Sequence, residues 1–191
     1  MVGSTARSGP LNTRLVEDLQ AHRPEAVEQL LAAYGRQIHG VAFLVLHSAA
    51  DAEEVVMDTL LTAWDKSGSL RDPDALKPWL MKIAARLSLS RARRRRPVER
   101  LPAADTRFYD PMTSIADHLT LTEAVQALRP RMRAAIGLHY YADLDVDTVA
   151  AVLGRSRNTV KTELREALAR LRHLMAEAYP TATRREQTDA T

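Results

Sequence analysis

Apolar residues recur along this chain at intervals of three and four, with no sustained strict alternation, so the pattern predicts helices throughout. Leu15, Val16 and Leu19 mark one face of a short helix from Leu11 to His22. A second helix, with Pro24 suited to its first turn, carries Ala26, Val27, Leu30, Leu31, Tyr34, Ile38, Val41, Ala42, Leu44 and Val45. Gly35 and Gly40 either weaken it locally or allow a close helix contact. Ser48 or Asp51 caps a third, whose buried side reads Ala52, Val55, Val56, Thr59, Leu60, Ala63 and Trp64. Ser67 to Pro73 is a loop by composition. The next helix works from Pro78, packs through Trp79, Leu80, Ile83, Leu87 and Leu89, and ends in Arg91 and Arg93 to Arg96. From Pro97 to about Asp117 three prolines interrupt the chain and no period survives, which marks an interdomain linker. Beyond it, Thr120 or Thr122 caps a helix holding Ala124, Val125 and Leu128. Pro130 opens another, with Met132, Ala135, Ile136, Leu138 and Tyr141 available for packing.

The final pattern is the most informative. Val149, Ala150 and Leu153 form the apolar face of a short helix, and Val160, Leu164, Leu168, Leu171 and Met175 form a stripe on a long one. Between them Gly154 can take the left-handed conformation that reverses the chain, and Ser156 can cap the second helix. The N-terminal turns of that helix offer Arg155, Ser156, Arg157, Asn158, Thr159, Lys161, Thr162 and Arg165, side chains suited to phosphates and base edges. The unit reads as a helix-turn-helix with its recognition helix marked. A basic hairpin that never meets DNA is the plainer alternative, and Arg170, Arg172 and His173 fit a solvated face.

Composition narrows the class. Apolar residues at 46% suffice for buried cores, while 5% aromatics and seven glycines argue against a β sandwich or barrel. The predicted fold is all-α: a leader over 1–10, a helical domain over 11–96, a flexible linker over 97–117, a four-helix domain over 118–179 and a polar tail over 180–191. The net charge of +3 says little, but its distribution says more. Acid gathers at Asp51, Glu53, Glu54 and Asp58, and base gathers at Arg91 to Arg100 and in the terminal helices, which suggests two kinds of partner. Helix-dipole stabilisation explains Asp51, Glu53 and Glu54 adequately but Asp58 poorly. The arginine cluster invites an anion, although basic residues at a helix C-terminus are themselves favourable. The absence of cysteine excludes disulfides and thiolate metal sites. No signal-peptide pattern opens the chain and its longest apolar run is too short to span a bilayer, so a cytoplasmic protein without membrane insertion is expected.

DAEEVVMDTLLTAW, a short loop and PWLMKIAARLSLSRARRRR together resemble region 2 of bacterial sigma factors, and YYADLDVDTVAAVLGRSRNTVKTELREALARLRHLM resembles their region 4. This pair, joined by a loose linker, resembles the extracytoplasmic-function (ECF) group. The resemblance implies a promoter-specificity subunit with no cofactor and no catalysis of its own, whose partners are core RNA polymerase and promoter DNA. It leaves room for an anti-sigma factor. Asp51, Glu53, Glu54 and Asp58 would bind the clamp helices of the large polymerase subunit. The loop Ser67 to Asp74, with Ser69 and Arg71, would capture a base flipped from the −10 element. Lys82, Arg86, Ser90 and Arg93 would face the melted strand, the linker would run toward the polymerase active-site cleft, and the terminal helix-turn-helix would dock the −35 duplex.

Four positions depart from the family's habit. Arg86 and Ser90 stand where many members carry Asn and Asp, Met57 where Gln is common, and Glu163 where Arg is frequent. Glu163 has no cation three or four residues away, since Thr159, Val160, Glu166 and Ala167 occupy those places. It is therefore either solvated or facing DNA, where it could accept from a cytosine amino group. Two other functions remain open at this point. One is a two-domain helix-turn-helix regulator that does not bind core polymerase. The other is a metal-dependent helical enzyme using His39, His47 and Asp51, which lack a recognisable ligand motif.

Overall fold

The computed structural model describes residues 10–94 and 115–178, and every regular element within them is helical. The expected leader up to residue 9, the linker over 97–114, the tail from 180, and Arg95 and Arg96 lie outside the described residues; Pro10, expected in the leader, begins the first helix. Eight α-helices follow in order: Pro10–Gln20 (α1), Glu25–Leu46 (α2), Ala49–Asp65 (α3), Leu76–Arg94 (α4), Ile115–Gln126 (α5), Pro130–Ile136 (α6), Val146–Leu153 (α7) and Arg157–Ala178 (α8). Among the described residues no helix is long and apolar enough to cross a membrane.

Local chemistry accounts for most boundaries. Ser48 Oγ accepts from the Asp51 amide at 3.3 Å and starts α3, which settles its cap in favour of Ser48. Asp145 Oδ1 accepts from the Thr148 amide at 2.7 Å and starts α7; these bonds to Thr148 hold its carboxyl below the usual carboxylate range. Ser156 Oγ does the same for α8 through the Thr159 amide at 3.1 Å. Gly154, at φ +62°, makes the turn between α7 and α8 in the left-handed conformation. Pro130 sits at the start of α6 after an extended Arg129.

Four expectations need correction. Thr120 and Thr122 do not cap α5, because that helix starts at Ile115 and carries both inside it. Its start also falls two residues before the expected end of the linker. The buried side of α4 is Leu76, Leu80, Met81, Ala84, Ala85 and Ser88, whereas Trp79, Ile83, Leu87 and Leu89 are only half-buried. Helix α4 is packed by α2, α3 and α7 at once, so small side chains on several faces make contact. On α8 the stripe runs through Val160, Leu164 and Ala167; Leu168, Leu171 and Met175 are half-buried.

The helices form two units, α1–α4 and α5–α8, pressed together into a shared core. One continuous buried cluster runs from Leu15 and Leu30 through Val41 and Leu80 to Leu138, Val149 and Val160. Two glycines seat the contact. The ring of Tyr141 lies where a side chain on Gly40 would be, a built Cβ falling 2.0 Å from its Cε1, and Gly137 rests against Val41 and Leu44. Tyr141 reaches α2 because α6 ends in a π-turn, Gly137–Tyr141, closed by the Ala142 amide on the Gly137 carbonyl at 2.8 Å.

Candidate nucleic-acid interface

The shared core leaves an open cleft of about 1200 Å³ between the units. Lys82, Arg86 and Arg93 line it from α4; spaced four and seven residues apart, they share one face of the helix. Arg155, Asn158, Thr159 and Thr162 line it from the opposite side, at the turn and on the first turns of α8. Arg129 and Arg131, at the start of α6, add two cations that the sequence pattern did not single out, while Glu163 and Glu166 oppose the charge. The residues expected to face a melted strand and those expected to read a duplex thus meet across one basic space. Glu163 is half-buried and faces that space rather than open solvent.

The remaining candidates distribute more unevenly. Arg157, Lys161 and Arg165 are exposed in a second row of α8, one flank away from the cleft lining. Arg157 Nε lies 3.2 Å from Asp147 of α7. The Ser156 hydroxyl is committed to its cap and to Thr159 Oγ1 at 2.8 Å. Ser90 is half-buried and falls outside the cleft lining.

Ser69, Arg71 and Lys82 border a smaller pocket of about 370 Å³, with Trp79 on its α4 side and Thr148, Ala151 and Val152 of α7 across from it. The loop that borders it consists of two 3-10 turns, Ser67–Ser69 and Pro73–Ala75. Ser67 and Leu70 are buried under the loop, while Ser69, Arg71 and Asp72 are exposed. Asp72 Oδ1 caps the second turn through the Asp74 amide at 2.9 Å. Gln20 of α1 also bonds to this loop, although fifty residues separate the partners and no sequence pattern links them.

Behind α4 the acidic helix shows a different arrangement. Arg91 donates to Glu54 Oε2 at 2.8 Å and to Asp58 Oδ2 at 2.6 Å. The anion that the arginine cluster invites is, for Arg91, an internal pair of carboxylates. Asp58 has a structural partner as well as an exposed edge, and Asp51 is half-buried, whereas Glu53 and Glu54 are exposed. His39 of α2 and His47, just past its end, pack against an aromatic ring: His39 stacks on Phe43 and His47 tilts against it. Burial lowers the pKa of both, with Arg133 adding to the effect on His47.

A helix-turn-helix with a polar recognition helix, set across a basic cleft from a second cationic helix, is the architecture of an all-helical DNA-binding protein. Comparison with known proteins narrows this class. Residues 30–98 match the family model for Sigma-70 region 2, and residues 118–171 match that for Sigma-70, region 4. The RNA polymerase sigma-E factor of Streptomyces avermitilis is 33% identical over 127 residues, covering 64% of this chain and 69% of that protein. The ECF RNA polymerase sigma factor SigM of Mycobacterium tuberculosis is 28% identical over 175 residues, covering 91% and 89%. Among solved structures, CnrH in complex with the cytosolic domain of CnrY superposes with a TM-score of 0.68 at 23% identity, covering 87% of this chain and 98% of that one. The sigma factor RpoE in complex with the anti-sigma factor NepR from Bartonella quintana gives 0.66 at 24% identity, covering 78% and 95%. The chain belongs to the extracytoplasmic-function sigma factors. It is a promoter-recognising sigma subunit of RNA polymerase.

Proposed function

We propose that this sigma subunit divides its work along the two units described above. The loop over 67–74, with Ser69 and Arg71, takes a base of the −10 element, and Lys82, Arg86 and Arg93 hold the adjoining strand. Helix α8 docks the −35 duplex with Asn158 and Thr162 in one row and Arg157, Lys161 and Arg165 in the next. The exposed acids of α3, chiefly Glu54 and Asp58, bind core polymerase. The observation that carries this reading is the placement of the cationic row of α4 and the polar row of α8 on one cleft, with the acids of α3 behind it.

A recognition helix works inside a major groove about 12 Å wide, so the duplex must surround the exposed turns of α8 on both flanks. With α4 across the cleft, the two units must part before both promoter elements are engaged. Opening DNA costs about 1.4 kcal/mol per stacking step. Base capture and polymerase contacts offset that cost, so the protein needs no catalytic activity of its own. We place it in the cytoplasm, where its template is. An anti-sigma factor, the kind of partner named for the RpoE structure, is a further binding partner of this chain.

The test is reconstitution. Glu54→Lys with Asp58→Lys should abolish pull-down of core polymerase while circular dichroism remains that of a folded helical protein. Replacing residues 67–74 with a Gly-Ser loop should spare −35 duplex binding and remove permanganate reactivity at the −10 element. Normal pull-down by the reversed acids refutes the α3 assignment. No affinity of the wild-type chain for core polymerase would favour the regulator that acts without it.

A further inference from the structure

We propose that α1 belongs to the −10 recognition apparatus, with Gln20 as the positioning residue that sets the shape of the base-capture loop. The proposal rests on the reading that residues 67–74 take a base. The Gln20 side-chain amide donates to the Leu70 carbonyl at 2.7 Å and lies 3.4 Å from the Ser67 carbonyl. These two carbonyls stand at the first 3-10 turn's start and at its exit. Inside the turn the Ser67 carbonyl already accepts from the Leu70 amide at 3.0 Å. The Leu70 carbonyl belongs to the peptide plane that leads into Arg71, and Leu70 itself is extended. A bond to that oxygen fixes the rotation of the plane, and with it the direction in which Arg71 and Asp72 leave the buried Leu70. Both exposed residues border the 370 Å³ pocket beside Trp79 and Lys82.

The anchor is itself held. Asp18, buried on α1, pairs with the Arg23 guanidinium and offers its carbonyl to the Arg23 amide at 3.0 Å, closing the chain just past Gln20. His22, at φ +52°, lays its ring edge-on against Trp64 at 4.9 Å, which ties the same turn to the end of α3. Helix α1 thus grips the loop from behind and α3 from the side. It does so from outside the segment that matches region 2, which begins at residue 30. A loop that captures a base must keep its pocket shaped before the base arrives, because ordering it at that moment would subtract from affinity. A side-chain amide on a rigid helix provides that order.

The experiment uses holoenzyme reconstituted from the full chain and core polymerase, with promoters selected from a library randomised over the −10 element. Gln20→Glu keeps the side-chain size but turns an acceptor toward two carbonyl oxygens, and Gln20→Ala removes the contact. Both should lower discrimination at the captured base about fivefold, the factor that one net hydrogen bond supplies. Core-polymerase affinity and −35 duplex binding should stay within about twofold of wild type. Ser69→Ala with Arg71→Ala tests the underlying reading in parallel. If that pair flattens base preference and neither Gln20 variant does, the role of α1 is refuted alone. Should the loop variants also leave preference unchanged, base capture itself fails. Equal losses at the −10 element, at the −35 element and in polymerase binding would mark Gln20 as a general stability residue and overturn the proposal too.

Discussion

On the proposed −35 docking, Arg157 must choose between an internal carboxylate and DNA. Its pair with Asp147 joins two side chains that are 58% and 64% exposed, so screening limits the interaction to about 1 kcal/mol or less. A phosphate or a guanine edge can therefore displace Asp147. Arg157→Ala is expected to weaken −35 binding by about 1–3 kcal/mol and relax one promoter position if the side chain reads a base. Lys161→Ala should weaken binding evenly across sequences and lower the salt slope by about one, as a phosphate contact does. Anisotropy titrations over a range of salt with a −35 duplex read both effects. Unchanged affinity and base preference in both variants would exclude α8 as the reader. Glu163 requires a tertiary explanation: it has no cation three or four residues away in its own helix and lines the cleft opposite the row from α4.

At the scale of elements, α2 is the helix against which most of the others are built, and its C-terminal end bears a titratable contact with α6. His47 is half-buried, its Nε2 has no hydrogen-bond partner among the described residues, and Arg133 of α6 disfavours its protonation. His39 is lowered by burial as well, with Glu53 of α3 opposing the shift. Both folded pKa values lie below the ordinary histidine value of about 6.5. Below that pH the unfolded chain takes up protons that the folded chain refuses, so stability is lost as the pH falls from about 6.5 toward the depressed values. Thermal melts should show the midpoint dropping between about pH 7.5 and 5.5. His47→Gln should make the drop shallower, and an unaltered slope would remove His47 from the account. Between α3 and α4 the Arg91 bridge explains how a cluster of like charges is tolerated: one of its members turns away from the cleft and neutralises the acids of the neighbouring helix.

For the whole molecule, the joint between the units decides which surfaces are available. It is apolar and interlocked, with Tyr141 on Gly40 and Gly137 on Val41 and Leu44. Tyr141 also reaches the Arg36 carbonyl at 3.4 Å. A methyl group at position 40 would occupy the place of the Tyr141 ring, which must then swing toward solvent. Gly40→Ala is accordingly expected to loosen the joint. Small-angle scattering should show a larger radius of gyration, and duplex affinity of the free protein should rise in proportion to the open fraction. Identical scattering and affinity would mean that the joint does not limit DNA binding.

Much of this architecture is local, and that part was legible in the residues. The α7–α8 hairpin needs only Asp145, Gly154 and Ser156 at its ends and apolar residues at helical spacing between them, so sequence alone determined it. The separation of acidic from basic stretches was likewise written in residue order. Tertiary packing decided the rest. It buried Met81, Ala84 and Ser88 of α4, because a helix surrounded on several sides has no single apolar stripe to read. It set Gln20 behind residues 67–70 and Arg91 between Glu54 and Asp58, contacts across 33 to 50 positions that no periodicity encodes. It also brought the cationic row of α4 and the polar row of α8, expected to act on separate units, to face each other across one cleft. Caps, turns and helical period act within a few residues and can be read in order. Which faces meet depends on how α2 and α6 fit together, and that fit exists only once the chain has folded.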